Sequence, residues 1–195
     1  MTLPPLSITD DMRNRYTQGW RASEELLIEL HRLLYTYKPR SILETGPGLS
    51  SILFYEYQLL NPGTVYISLN HPSEHHKIFI DHMVELGFDV STAHEAPLVD
   101  GYYDVSAVPE DSKFDLFSLD GPPDSQDRAS ESAMKFFKAH CHVGSIFVQD
   151  DTNRQAETRV ITDMCAYLGR SDESIKVLQD SFYEHRTSKV LLPVE

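Results

Sequence analysis

The sequence predicts an α/β fold: a doubly wound, mostly parallel sheet with helices on both faces, closed by a C-terminal antiparallel strand pair. Three observations predict it. Short apolar runs alternate with amphipathic segments at helical spacing along the chain, the pattern of βα units. Three of those runs stop abruptly at a glycine turn or an acid: Ser41-Ile42-Leu43-Glu44 before Thr45-Gly46-Pro47-Gly48, Phe114 to Leu119 before Asp120-Gly121, and Gly144 to Val148 before Gln149-Asp150-Asp151. The last two runs, Ile175–Gln179 and Ser188–Leu192, are joined by only Asp180 to Arg186, a link short enough for an antiparallel pair.

Taken in order, residues 1–10 read as an irregular lead-in. Trp20, Leu26, Leu27, Leu30, Leu33 and Leu34 recur at helical spacing from Tyr16 to Tyr37, and Pro39 ends that helix. Tyr16 and Trp20 read as core or helix-contact aromatics, with a ligand cover as the other reading. Leu49 to Leu60 is a helix, and Asn61-Pro62-Gly63 turns the chain into a second strand, Thr64 to Leu69,. Pro72 and Ser73 open a helix from Glu74 to Leu86 that Gly87 ends,. Phe88 to Ala93 reads as a third strand, and Gly101 to Ser112 as a long polar loop,. Helices follow over Glu131–Ala139 and Gln155–Leu168.

Composition narrows the function classes. A chain of 195 residues with 41% hydrophobic and 24% charged residues is most simply one soluble domain,. A net charge of −13 disfavours a nucleic-acid footprint and an anionic membrane surface,. No apolar run reaches a membrane span, and Met1-Thr2-Leu3-Pro4-Pro5 is no signal peptide,. A cytoplasmic location is expected. Two cysteines, Cys141 and Cys165, form no metal or disulfide pattern,. His71, His75, His76 and His82 read as a solvated helix face, because no carboxylate or cysteine spacing completes a metal set,.

In an open parallel sheet, ligands bind outside the carboxyl ends of the strands. Glu44, Asn70, Asp120, Asp150 and Asp151 all fall at such ends, so one fold rule gathers them into one crevice. Gly46 and Gly48 let a ligand approach the backbone, and a helix N-terminus follows them. Glu44, read as facing the crevice, suits hydroxyls or positive charge better than a pyrophosphate.

As a set, Glu44-Thr45-Gly46-Pro47-Gly48, Leu119-Asp120-Gly121-Pro122-Pro123 and Gln149-Asp150-Asp151-Thr152-Asn153-Arg154 resemble the class I S-adenosylmethionine (SAM) dependent methyltransferases. The resemblance covers most of the chain from about residue 35 and implies a Rossmann-like fold, SAM as cofactor and methyl transfer to a small acceptor. It places Glu44, Gly46, Gly48 and Ser50 at the first cofactor motif, Asn70 and His71 at the ribose, Glu95 near the adenine, and Asp120 beside cofactor or acceptor. Asn70 stands where that family carries an acid, so one charge-assisted bond to the ribose is lost. By resemblance to metal-dependent O-methyltransferases, Asp120, Asp150 and Asp151 are candidate ligands for Mg²⁺ or another divalent cation, with Asp151 in place of an Asn. The competing assignment makes Asp120 a cofactor or acceptor contact, Asp150 the base and Arg154 the group that orients the acceptor. A sugar-like or other small hydroxyl compound is the expected acceptor, and a homo-oligomer stays open. Two other classes stay open as well: a catalytically degenerate SAM- or nucleotide-binding domain, and a nicotinamide-dependent oxidoreductase, against which Ser51 replaces the third glycine of the fingerprint.

Overall fold

The computed structural model describes residues 4–16, 21–122, 129–183 and 185–194. Trp20, Pro123 and Asp124 lie outside the described residues. A short helix α1 (Asp10–Asn14), capped by Thr9, precedes the long helix α2 (Glu24–Tyr37). The chain then runs through β1 (Ser41–Thr45), α3 (Leu49–Leu60), β2 (Val65–Asn70), α4 (Glu74–Glu85) and β3 (Ala93–Glu95). A two-stranded hairpin, β4 (Leu98–Val99) and β5 (Tyr102–Tyr103), leads to β6 (Leu116–Leu119), α5 (Glu131–His140), β7 (Ile146–Gln149) and α6 (Gln155–Tyr167). Strands β8 (Ile175–Gln179) and β9 (Thr187–Leu191) finish the chain.

Seven strands form one sheet in the order β3-β2-β1-β6-β7-β9-β8. The first five in that order run parallel, and β9 joins β7 antiparallel. Adjacent residues of one strand serve opposite cores. Ile42, Tyr66, Leu116, Ile146, Val148 and Val190 pack under α2, α3 and α4. Leu43, Leu69, Phe117, Leu119, Phe147 and Leu191 pack under α5 and α6. Period-two alternation with both faces apolar is why β6 and β7 are buried at every residue,. The predicted fold class, with helices on both faces and a closing antiparallel pair, is the observed one.

Local chemistry explains where the elements differ from the reading of the sequence. The helix expected from Tyr16 starts at Glu24, because Ser23 accepts the Leu26 N–H and caps it,; Tyr16 sits ahead of it in a bend. The third strand is only Ala93–Glu95. Asp89 accepts the Ser91 N–H in a side-chain turn, which takes residues 88–92 out of the sheet,. The start of the expected polar loop is the second strand of a hairpin. Asp100 and Gly101 both take positive φ (51° and 80°), the Asp-Gly turn that joins two strands tightly, and it buries Tyr102 and Tyr103.

Strand order reverses between β1 and β6, and the site lies at that switch point. Gly46 leaves β1 with φ +68°, and a Cβ there would stand 1.8 Å from the Asp120 carbonyl oxygen. Its N–H donates to the Leu69 carbonyl, and the Asp120 N–H donates to the Thr45 carbonyl. Gly46 is therefore a packing glycine that lets the ends of β1 and β6 touch. Gly46→Ala adds both positive-φ strain and a clash with backbone that cannot swing away. A loss of about 3 kcal/mol or more in unfolding free energy is expected by urea denaturation.

Candidate functional site

Glu44 does not face the crevice. It lies on the α3 side of β1, 1% exposed, where three hydroxyls converge on it. Ser50 donates to Oε1 at 2.5 Å, Ser51 donates to Oε2 at 2.6 Å, and the Tyr66 hydroxyl donates to Oε2 as well. Ser51 also accepts the Gly48 N–H at 3.0 Å. Glu44 thus shapes the glycine loop from behind, through Ser51, and ties down the first turn of α3.

The loop consequently offers a ligand little hydrogen bonding. The Gly46 and Gly48 N–H groups are used internally, and Pro47 has none. What it offers is bare Cα surface. A Cβ built on Gly48 would meet only Tyr16, at 4.0 Å. Tyr16 is held by its hydroxyl against His82 Nδ1 at 3.0 Å, so the segment before α2 passes close to this loop. A loop of this kind suits a ligand without phosphates, since a phosphate needs N–H groups aimed at it.

The crevice itself is lined by Ala22 and Leu26 of the α2 start, Thr45 and Ser50, Ser118 to Asp120, Val148 and Asp150, around a cavity of about 20 Å³. Buried polar atoms without hydrogen-bond partners lie at the ends of β1 and β2, Thr45 Oγ1 and His71 Nδ1, and within β2, Ser68 Oγ. Unpaired buried groups are unfavourable, and a hydroxyl-bearing ligand over β1 and β2 would satisfy them. Asn70, 8% exposed, ends β2 beside β3, where Glu95 is its register partner. Glu95 is exposed and stands 3.9 Å from His76 Nε2. These residues fit an adenosyl group along the β1–β2–β3 ends.

The aspartates take an unexpected form. Asp150 is 2% exposed, and both of its oxygens are engaged. Ser188 donates to Oδ1 at 2.6 Å and the Asp151 N–H at 2.8 Å, while Arg186 Nη2 lies 2.5 Å from Oδ2. Arg186 Nε is 3.1 Å from Asp151 Oδ1, and Arg154 Nη2 is 3.1 Å from Asp151 Oδ2. Burial alone would lower the Arg186 pKa; Asp150, Asp151 and Asp120 outweigh it and hold it above its ordinary value,. Among the described residues, no three His, Cys, Asp or Glu side chains are arranged to hold a metal ion. A guanidinium, Arg186, lies against Asp150 and Asp151, two of the three carboxylates the resemblance offers as ligands for a divalent cation. Asp150, the candidate base, lines the crevice while receiving hydrogen bonds at both of its oxygens. Arg154 faces Asp151 and Glu157.

Arg186 and Ser188 carry no motif, and the sequence reading missed them. The signal lay in the topology. A last strand antiparallel to β7 begins where β7 ends, as Gln149 pairing with Lys189 and the Thr152 N–H donating to the Thr187 carbonyl at 2.6 Å show. Residues opening β9 therefore reach residues just past β7.

Glu44 gives a pH-dependent test of the loop's foundation. Burial pushes its pKa up from 4.5 to about 7, against the pull of Ser50, Ser51 and Tyr66. A raised folded-state pKa contributes stability that is fully present below the unfolded value and lost as pH rises through the folded one. Wild-type stability should fall between pH 4.5 and about 7 relative to Glu44→Gln, in which that ionisation is absent. Parallel melting curves across that window would show no divergence if Glu44 does not titrate there.

Comparison with known proteins follows the geometry. No protein-family model and no curated protein sequence matches this chain. Solved structures do. One, from Klebsiella pneumoniae and described as an O-methyltransferase candidate, superposes with a TM-score of 0.68 at 14% identity over 97% of this chain and 93% of its own. The O-methyltransferase TomG of Streptomyces achromogenes, involved in tomaymycin synthesis and solved with SAM, gives 0.65 at 16% identity over 96% and 92%. An O-methyltransferase of Bacillus cereus, solved with SAH (the demethylated cofactor), gives 0.64 at 14% identity over 96% and 93%. The chain has the fold of the class I SAM-dependent methyltransferases.

Proposed function

We propose that this protein is a SAM-dependent O-methyltransferase acting on a small acceptor. The observation that carries the proposal is the β1–β6 switch point, where a bare glycine loop with its amides turned inward opens beside Asp120. A phosphate-bearing dinucleotide finds few donors there, whereas an uncharged adenosyl group needs contact surface and hydroxyl partners. Solved structures of the same fold hold SAM or SAH, which supports the cofactor.

The sulfonium of SAM supplies an already activated methyl group. The chain's work is then positioning, exclusion of water and disposal of one proton. The glycine loop lets the adenosyl moiety lie against the backbone. Thr45 Oγ1, Asn70 and His71 supply the polar contacts along it, and Glu95 stands at its adenine end. As the acceptor oxygen bonds to the methyl carbon, the S–C bond breaks and the hydroxyl proton must leave. Asp120 lines the crevice and is the carboxylate we assign to take that proton. The acidic surface, with a net charge of −13, favours a neutral or cationic small molecule over nucleic acid. No helix among the described residues is long and apolar enough to cross a membrane.

Gly48→Val tests the cofactor site, because a Cβ there meets only Tyr16, at 4.0 Å. The variant should melt close to wild type yet bind SAM about a hundredfold more weakly by calorimetry, the effect of about 3 kcal/mol of overpacking. Equal affinity in a folded variant would place the cofactor elsewhere. Asn70→Asp should tighten SAM by about fivefold, roughly 1 kcal/mol for converting a neutral hydrogen bond to a charge-assisted one. A clear loss of affinity instead would mean that the amide does not contact the ribose.

A further inference from the structure

We propose that Arg186 holds the place of a divalent cation among Asp120, Asp150 and Asp151, so that this chain transfers methyl groups without a metal ion. The inference rests on the methyltransferase reading and adds to it the identity of the cation.

Three carboxylates gathered at parallel strand ends repel one another, and a compensating positive charge is required. Here it is built into the chain. The guanidinium is a planar fork with donors in three directions; two of them make hydrogen bonds and the third approaches a carboxylate as an ion pair. Nη2 binds Asp150 Oδ2, Nε lies 3.1 Å from Asp151 Oδ1, and Nη1 donates to the Arg21 carbonyl at 2.8 Å. Arg186 is 9% exposed, so the pair is shielded from solvent and salt. It is also fixed by its own backbone. The Arg186 N–H donates to the Tyr183 carbonyl, and its carbonyl accepts from the Asp180 N–H and from the Gln179 side chain. The residue belongs to the β8–β9 turn and is not a mobile arm.

A divalent ion would have to displace this arrangement. Both Asp150 oxygens carry partners, and both Asp151 oxygens have a guanidinium 3.1 Å away. An ion arriving at Asp150 would either sit a few ångströms from a permanent cation or expel it. Expulsion would leave a buried arginine without its carboxylates, and a guanidinium cannot shed its charge. Ser188 adds to this: its hydroxyl donates to Asp150 Oδ1 while Arg186 holds Oδ2.

The test uses Mn²⁺ as the probe and the whole chain, with and without SAM. Paramagnetic resonance of Mn²⁺ should show the free-ion signal undiminished by wild-type protein, and neither Mn²⁺ nor EDTA should shift its melting curve. Arg186→Ala removes the resident cation and leaves the carboxylates; it should bind Mn²⁺ at least about tenfold more tightly than wild type, as a set of hard oxygen donors would. Arg186→Ala with Asp150→Asn should lose that gain. One Mn²⁺ bound per wild-type chain and released by Asp150→Asn would overturn the inference. So would a folded Arg186→Ala protein with no gain. If that variant does not fold, the wild-type measurement decides alone. SAM calorimetry on wild type separates the two readings: absence of SAM binding sinks the methyltransferase reading, whereas SAM binding together with stoichiometric Mn²⁺ sinks only this one.

Discussion

The molecule turns on one contact with no side chain in it: the Gly46 backbone against the Asp120 carbonyl. Parallel strands β1 and β6 can end side by side only if the chain leaving β1 bends away without a Cβ. That bend takes positive φ, and a side chain there would occupy the space of a peptide oxygen. Everything useful at the site is referred to this point. Thr45 lies one residue before it, Gly48 two after, and Asp120 is the partner itself. The glycine loop is thus first a device for bringing two strand ends together. Its suitability for a ligand follows from the room left at Gly48.

The fold was legible because both faces of the sheet are covered. When each strand must feed two cores, it reads as a nearly continuous apolar run, as Leu116–Leu119 (broken only by Ser118) and Ile146–Val148 do. What escaped was local turn chemistry. Asp100-Gly101 carried a hairpin signal inside a stretch whose polarity suggested a loop, and Asp89 diverted a run of strand-like composition with one hydrogen bond to Ser91. The early start given to α2 came from trusting helical spacing through Tyr16, ahead of the Ser23 cap.

The site was half legible for a related reason. A fold rule gathers residues that sit at the ends of parallel strands, and it gathered Asp120 and Asp150. It says nothing of which way a strand-end side chain turns. Glu44 occupies such an end and turns inward, because period-two alternation sets it on the α3 side with Ile42. Arg186 lay outside the rule altogether, 36 residues beyond Asp150 in the turn before an antiparallel strand. It becomes visible only when the register of the final pair is drawn beside β7.

Two buried carboxylates, Glu44 and Asp150, show how partner type decides behaviour. Each is at most 2% exposed, and each receives three hydrogen bonds. Glu44 receives its bonds from neutral hydroxyls. They orient it without neutralising it, and desolvation drives its pKa up to about 7. Hydroxyls accept as well as donate, so the network survives protonation with its hydrogens redistributed, and α3 keeps its anchor in either state. Asp150 has a guanidinium, which cannot reverse its role. The Arg186 hydrogen bonds to Asp150 and to the Arg21 carbonyl therefore run one way only. The framework carboxylate therefore tolerates a change of charge, whereas Asp150 is held by a partner whose charge does not change,. Donors and charges fixed beforehand add little reorganisation to events at a crevice, and Arg186 is fixed from two sides, by Asp150 and by the Arg21 carbonyl.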